Sequence, residues 1–226
     1  MIALGLAAIA AAAVWWRRNP SACPYSQRFW VQAPHPLITR RRFRETLAPA
    51  AGEQVLEIGP GTGYYTLELA SWLGPGGQLE IFDIQQEMLD HTMGLVAGRG
   101  LANVAATQGD AQALPYEDDS FDAVVLTTTL GEIPDPDTAL GEVARVLRRG
   151  GRLIVGELLG DPHFTTPGSL RRRGERAGMR FEHRSGPAFG YFARLVACPA
   201  GDATRSTGRS GGCAQGRAGF RARFAG

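Results

Sequence analysis

A chain of 226 residues can bury one sizeable core, so its length points to one domain with small appendages. Its apolar content of 44% is ordinary for a globular protein. The net charge of +2 is unevenly spread: residues 1–46 hold seven arginines against one glutamate and residues 197–226 hold five against one aspartate, which leaves an acidic middle that excludes a broad nucleic-acid-binding face.

Met1 to Trp16 carries no charged or polar side chain, and Trp15-Trp16 then meets Arg17-Arg18. At about 1.5 Å per residue such a helix spans roughly 24 Å, short of a hydrocarbon core of about 30 Å. Positive charge follows the apolar run rather than preceding it, which favours an uncleaved anchor over a cleaved signal or a soluble buried helix. Residues 1–18 are therefore expected to attach the chain to a membrane, with the body on the cytoplasmic side. Residues 19–48 form a linker rich in proline and aromatics that ends in an amphipathic helix from Leu37 to Leu47. The arginines at 40, 41, 42 and 44 then face solvent or meet lipid headgroups.

The body, residues 49–196, alternates strand and helix. Strands are expected at Val55–Ile58, Leu79–Phe82, Val104–Thr107, Ala123–Leu126 and Arg152–Gly156. Helical spacing covers Tyr64–Trp72, Gln86–Ala97 and Thr138–Leu147. Met179–His183 and Phe189–Val196, parted by Ser185-Gly186-Pro187, read as an antiparallel hairpin. The fold class is α/β: a Rossmann-like, doubly wound, mostly parallel seven-stranded sheet, closed by that hairpin and preceded by the N-terminal hydrophobic helix. Residues 197–226 lack periodicity and are expected to be a disordered tail. Cys23, Cys198 and Cys213 are odd in number and far apart, so neither a disulfide framework nor a metal site is expected.

The central signal is Glu57-Ile58-Gly59-Pro60-Gly61-Thr62-Gly63-Tyr64. Alternate glycines let the backbone turn sharply and approach a ligand. A dinucleotide fingerprint needs a glycine where Tyr64 stands, and no Gly-Lys-Ser/Thr follows, so NAD and a Walker loop are both disfavoured. Asp83 ends the second strand, where a carboxylate can accept two hydrogen bonds from ribose hydroxyls or cap the next helix. Ile84 is then a candidate for packing on an adenine face.

Glu57–Gly63 resembles the first motif of the class I S-adenosylmethionine-dependent methyltransferases, acidic-x-Gly-x-Gly-x-Gly. The resemblance implies S-adenosylmethionine as cofactor, with Glu57 near the methionine ammonium and Gly59, Gly61 and Gly63 admitting methionine and ribose. It gives Asp83 the ribose. It gives Asp110, in Gln108-Gly109-Asp110-Ala111, the adenine amino group, with the Ala111 N–H on a ring nitrogen. Thr127, closing the fourth strand, joins these cofactor contacts. Ala113-Leu114-Pro115-Tyr116, Asp119-Ser120-Phe121-Asp122, Ile133-Pro134-Asp135 and Arg145–Gly151 extend the likeness to the quinone-biosynthesis branch (methyltransferase type 11), over roughly residues 50–158.

Thr127–Glu132 departs from that pattern where relatives often carry histidine, and no Asn/Asp-Pro-Pro-Tyr occurs, which argues against amino-group methylation of DNA or glutamine. Glu132 is a candidate general base or a holder of a cationic acceptor, and otherwise a capping or solvent-facing residue. His163 follows the fifth strand with Asp161 and Phe164 and is the second catalytic candidate, the alternative being a packing role. Tyr64 and Tyr65 either close over the cofactor or pack the helix. The expected function is methyl transfer to a small lipophilic acceptor at the membrane, such as a quinone precursor, lipid or thiol. The alternatives are a methyltransferase of a soluble metabolite and a non-catalytic cofactor-binding protein.

Overall fold

A computed structural model describes residues 20–27 and 36–198. The chain runs through α1 (Arg40–Leu47), β1 (Gln54–Ile58), α2 (Thr66–Leu73), β2 (Gln78–Asp83), α3 (Gln86–Gly98), β3 (Val104–Gln108) and β4 (Phe121–Thr127). It continues through α4 (Pro136–Val146), β5 (Leu147–Leu158), α5 (Pro167–Arg176), β6 (Met179–Ser185) and β7 (Gly190–Ala197). The sheet order is β3-β2-β1-β4-β5-β7-β6. β3 to β5 are parallel, and the β6–β7 hairpin adds antiparallel to β5. The sheet expected from the sequence, mostly parallel with a closing antiparallel hairpin, is therefore the one observed, while the expected N-terminal hydrophobic helix lies outside the described residues.

The parallel strands are short apolar runs because both faces are covered. Alternation sends Val55, Ala123, Val125 and Ile154 toward Leu69, Leu73 and Leu89 of the first helices. Leu56, Val124, Leu126, Leu153 and Val155 point the other way, toward Leu140, Val143 and Val146 of α4 and Leu170 of α5. Successive strands step outward from β1 to β3, then return across β1 to β4. This reversal opens a crevice beyond the C-terminal ends of β1 and β4.

Local chemistry sets the helix ends. Asp135 caps α4 by accepting from the Asp137 and Thr138 amides, both at 3.1 Å, and Pro136 takes the first helical position. Thr166 and Pro167 repeat this arrangement at α5. Nothing in the sequence suggested α5, since PGSLRRRGER offers Leu170 as its lone large apolar side chain and so shows no apolar stripe.

α1 begins later than expected, at Arg40, because Thr39 caps it. Its arginines engage neighbouring side chains and carbonyls. Arg40 pairs with Glu68 at 3.1 Å, Arg42 donates to the Leu37 carbonyl at 2.6 Å, and Arg44 lies 5.4 Å over the Trp72 ring. Phe43 and Leu47 are buried against the sheet. The amphipathic helix is thus a structural part of the body.

The expected membrane localisation is corrected. Among the described residues no helix is long and apolar enough to cross a membrane. The segment 1–18, on which that expectation rested, lies outside the described residues, as does the tail from residue 199. Cys198, whose amide donates to the Gly178 carbonyl just after β7, is disulfide-bonded, contrary to the cysteine arithmetic above; Cys23 is free.

Candidate functional site

The crevice is a cavity of about 350 Å³. Its floor is the glycine loop after β1. Gly59 has φ +69° and lies so close to Thr129 that a Cβ there would overlap its side chain. Gly61, also at positive φ, turns the loop under the cavity. Gly63 stands outside the cavity wall: a Cβ there would lie 3.0 Å from Thr92 Cγ2, so this glycine serves the contact between the loop and α3.

Glu57 is 3% exposed and lines the cavity. Thr66 Oγ1 donates to its Oε2 at 2.7 Å. Burial pushes the Glu57 carboxyl up to about 7, and the Thr66 bond pulls it back only in part. Asp83 ends β2 at the same cavity and accepts from the Gln85 amide at 2.9 Å. Burial raises its pKa, opposed by the amides of Gln85, Ile84 and Gly61.

Ile84 is more than half exposed and Ala111 is buried; both line the cavity. Asp110 lines it as well, with both carboxyl oxygens already accepting from the Gln112 side chain at 2.8–2.9 Å. An ionised carboxylate has about four acceptor positions, so room remains for an adenine amino group. Gly109 keeps this wall thin, since a Cβ there would lie 2.5 Å from Phe82 Cζ.

The fourth wall follows β4. Thr127 lines the cavity, and its Oγ1 is a buried oxygen without a hydrogen-bond partner. Glu132 projects from the short 3-10 turn Leu130–Glu132. Burial raises its carboxyl to about 8, with further repulsion from Asp161 and Asp83 against one stabilising amide, that of Cys23 at 3.4 Å. His163 is not in this wall. It lines an adjoining depression together with Gly131, Thr166 and Arg173, and Ile133 and Pro134 border both spaces. Glu132 and His163 thus do not share a cavity.

Several lining residues were unreadable from the sequence. Ser21, Ala22 and Cys23 lie across the mouth. Gln85 holds this strap by donating to the Cys23 carbonyl at 3.0 Å and accepting from the Tyr25 amide at 3.1 Å. These contacts span about sixty residues of sequence, and a proline-rich linker has no periodicity to announce them. Tyr64 and Tyr65 both line the cavity, and Tyr65 also donates to the Ile38 carbonyl. Glu157, at the end of β5, is 1% exposed and is raised to about 8 by burial, with Asp161 and Glu132 adding repulsion. A glutamate in the run Leu153–Leu158 was the available signal, because a carboxylate is rarely buried without a purpose.

The residues present fit an S-adenosyl cofactor. Two carboxylates, Asp83 and Asp110, stand at the ends of β2 and β3, and Glu57 with Gly59 and Gly61 at the end of the neighbouring β1, all lining the one cavity. Thr127 adds an orphaned buried hydroxyl between them and the turn that bears Glu132.

Comparison with known proteins agrees. The sequence profile of a methyltransferase domain family matches residues 49–163. The ubiquinone/menaquinone biosynthesis C-methyltransferase of Cellvibrio japonicus is 41% identical over 125 residues, 54% of this chain and 50% of that protein. The demethylmenaquinone methyltransferase of Lactobacillus johnsonii is 38% identical over 119 residues, 52% of this chain and 49% of that protein. The chain thus spans about half the length of these curated relatives. A crystal structure of a SAM-dependent methyltransferase from Aquifex aeolicus superposes with a TM-score of 0.71 at 20% identity, over 77% of this chain and 98% of that one, a likeness of fold. The cofactor expected from the motifs, S-adenosylmethionine, is thereby borne out. Matched over half its length by this family and built on the sheet that its motifs implied, the chain belongs to the methyltransferase domain family and has the fold of the class I S-adenosylmethionine-dependent methyltransferases.

Proposed function

We propose that this protein methylates a small, apolar acceptor of the quinone-precursor type, at a ring carbon. The observation that carries the reading is one cavity that gathers Glu57, Asp83, Asp110, Thr127 and Glu132 at the C-terminal edge of the sheet. The names of the relatives, which are quinone-pathway methyltransferases, support this acceptor class.

Glu57 and the glycine loop hold the methionine part of the cofactor, Asp83 the ribose, and Asp110 with the Ala111 amide the adenine. Ile84 covers the adenine face. The bound cofactor supplies an already activated methyl group on a sulfonium, so alignment does much of the work. The acceptor then needs a base, because methylating a ring carbon exchanges one C–H for one C–CH3 and releases a proton. Glu132 receives it. A carboxyl near 8 is a stronger base than an ordinary glutamate and can take a proton from a hydroquinone-like acid. Ile38, Tyr64 and Ile133 give the same cavity apolar surface for such an acceptor.

The test is incubation with methyl-labelled S-adenosylmethionine and a demethylated hydroquinone, with products identified by mass spectrometry. Label on the ring carbon supports the reading. Label absent from the quinone but present on an aqueous metabolite, or on nothing, overturns it. Glu132→Gln should lower kcat by about 10²–10⁴-fold.

A further inference from the structure

The geometry points to Glu132, with Asp161 and Glu157 behind it, as a charge selector that favours the sulfonium of S-adenosylmethionine over the neutral thioether of S-adenosylhomocysteine. This rests on the donor-site reading above.

The cavity wall carries four carboxyl groups, from Glu57, Asp83, Asp110 and Glu132, and among its described lining residues none is basic. A second layer of acid lies behind Glu132. Alternation along β5 puts Glu157 on the face of Leu153 and Val155, beneath the loop that follows the strand. Its Oε2 accepts from the Thr165 amide at 2.9 Å, while Oε1 is buried without a hydrogen-bond partner. Asp161, on the same loop, accepts from the His163 amide at 2.7 Å. The turn bearing Glu132 presses onto this loop because Gly131 has no Cβ: one there would overlap the His163 carbonyl.

Burial raises all three; Asp161 adds to the cost of ionising Glu132 and Glu157, and Glu132 adds to that of Glu157. The other titratable groups that face them give little relief. Tyr191 of β7 lies opposite Glu157 and spends its hydroxyl on the Thr165 carbonyl at 2.7 Å. Asp83 adds repulsion at Glu132, and the Cys23 thiol is itself pushed up by burial and then by Glu132 and Asp161. His163 beside Asp161 is the nearby group able to carry positive charge. Arg184 acts on the far side, at Tyr191.

A site with surplus buried acid is stabilised by a ligand that brings positive charge and gains nothing from one that does not. Donor and product share adenosine and amino-acid parts and differ by one unit of charge at sulfur. The carboxyl cluster discriminates on that difference. Once the methyl has left, the cluster no longer holds the product, which favours its departure. Charging of the cluster by the donor also releases a proton from it, and this leaves Glu132 as the carboxylate that the acceptor's proton requires.

The test is isothermal titration of the full chain with S-adenosylmethionine and, separately, S-adenosylhomocysteine, at pH 6.0 and pH 8.5. The parent should prefer the donor about tenfold at the higher pH and about twofold at the lower, where the cluster is protonated. Glu157→Gln and Asp161→Asn, neither in the cavity wall, should each cut the preference at pH 8.5 to about threefold or less with product affinity held within about twofold. Circular dichroism checks that each variant folds; if either does not, the parent's pH series and the other variant decide. A preference unaffected by pH and by both variants, with both ligands bound, overturns the charge selector alone. If neither ligand binds, or if Asp83→Ala leaves both affinities intact, the donor-site reading falls and the selector with it.

Discussion

Thr66 Oγ1 donates to Glu57 Oε2 at 2.7 Å, so the first residue of α2 reaches back across the glycine loop to the end of β1. This bond fixes the loop's two ends and is the one influence that lowers the pKa of the buried Glu57. Thr66→Val keeps the shape and removes the donor. Because it strips a partner from a buried carboxyl, it should cost about 1–3 kcal/mol in urea unfolding. It should also weaken binding of S-adenosylmethionine at pH 7, since Glu57 is then protonated more of the time.

Gly59 and Gly52 separate two costs of adding a Cβ. Both have positive φ, +69° and +88°, but only Gly59 has a neighbour in the way, Thr129; nothing lies within 4 Å of the position at Gly52. Gly52→Ala should cost about 1 kcal/mol from backbone strain. Gly59→Ala should cost more, and should also reduce cofactor affinity by displacing the Thr127–Thr129 segment. Equal losses of stability in the two variants, with affinity unchanged, would contradict this assignment of the loop.

Arg152 fastens α1 to the sheet. From the start of the buried part of β5 it donates to the Leu47 carbonyl at 2.6 Å and grips both Glu53 oxygens at 2.9 and 2.6 Å. Arg152→Ala leaves a carboxylate and a helix-end carbonyl stranded together. The expected loss is about 3–5 kcal/mol in chemical denaturation. Arg152→Lys cannot form the fork and should recover only part of it.

Stability should fall as pH rises from about 5 to about 9. Glu57 is raised to about 7, and Glu132 and Glu157 to about 8, from an ordinary glutamate value near 4.5. Between those values the unfolded chain has released these protons and the folded chain retains them, so increasing pH favours unfolding. The contribution is complete below pH 4.5 and is lost through pH 7–8. Asp122, Asp137 and Glu142 act oppositely because their pKa values are lowered, but they titrate below that window. Melting temperatures in the absence of cofactor should therefore drop by several degrees from pH 5.5 to pH 8.5. Glu157→Gln should flatten the curve, and a melting point that rises over this range would refute the assignment.

Much of the fold was written locally. The apolar runs at Val55–Ile58 and Ala123–Leu126 and the break at Gly74–Gly77 are short-range patterns, and they locate strands and turns to within a few residues. Gly59 and Gly61, Asp83 at the end of β2 and Asp110 just after β3 were likewise legible locally, and all four line one cavity. α5 escaped because its sequence offers a single large apolar anchor, and a helix held by Leu170, a Thr–Pro cap and arginine pairs shows no stripe. The role of α1 was half legible: its amphipathic pattern was plain, while Glu68 and Trp72, which meet Arg40 and Arg44, lie more than twenty residues along the chain.

What the sequence determined by itself was the order of elements and the glycine loop after β1, because strand periodicity and turn chemistry are encoded over spans of ten residues or fewer. What only the tertiary structure decided was the company each acid keeps. Glu132, Asp161 and Glu157 come from separate turns and strand ends, His163 falls on the other side of Ile133 and Pro134, and Cys23 arrives from a linker over a hundred residues away from Glu132. Desolvation and charge–charge repulsion depend on distance in space and on burial, and neither is a property of any one stretch of sequence.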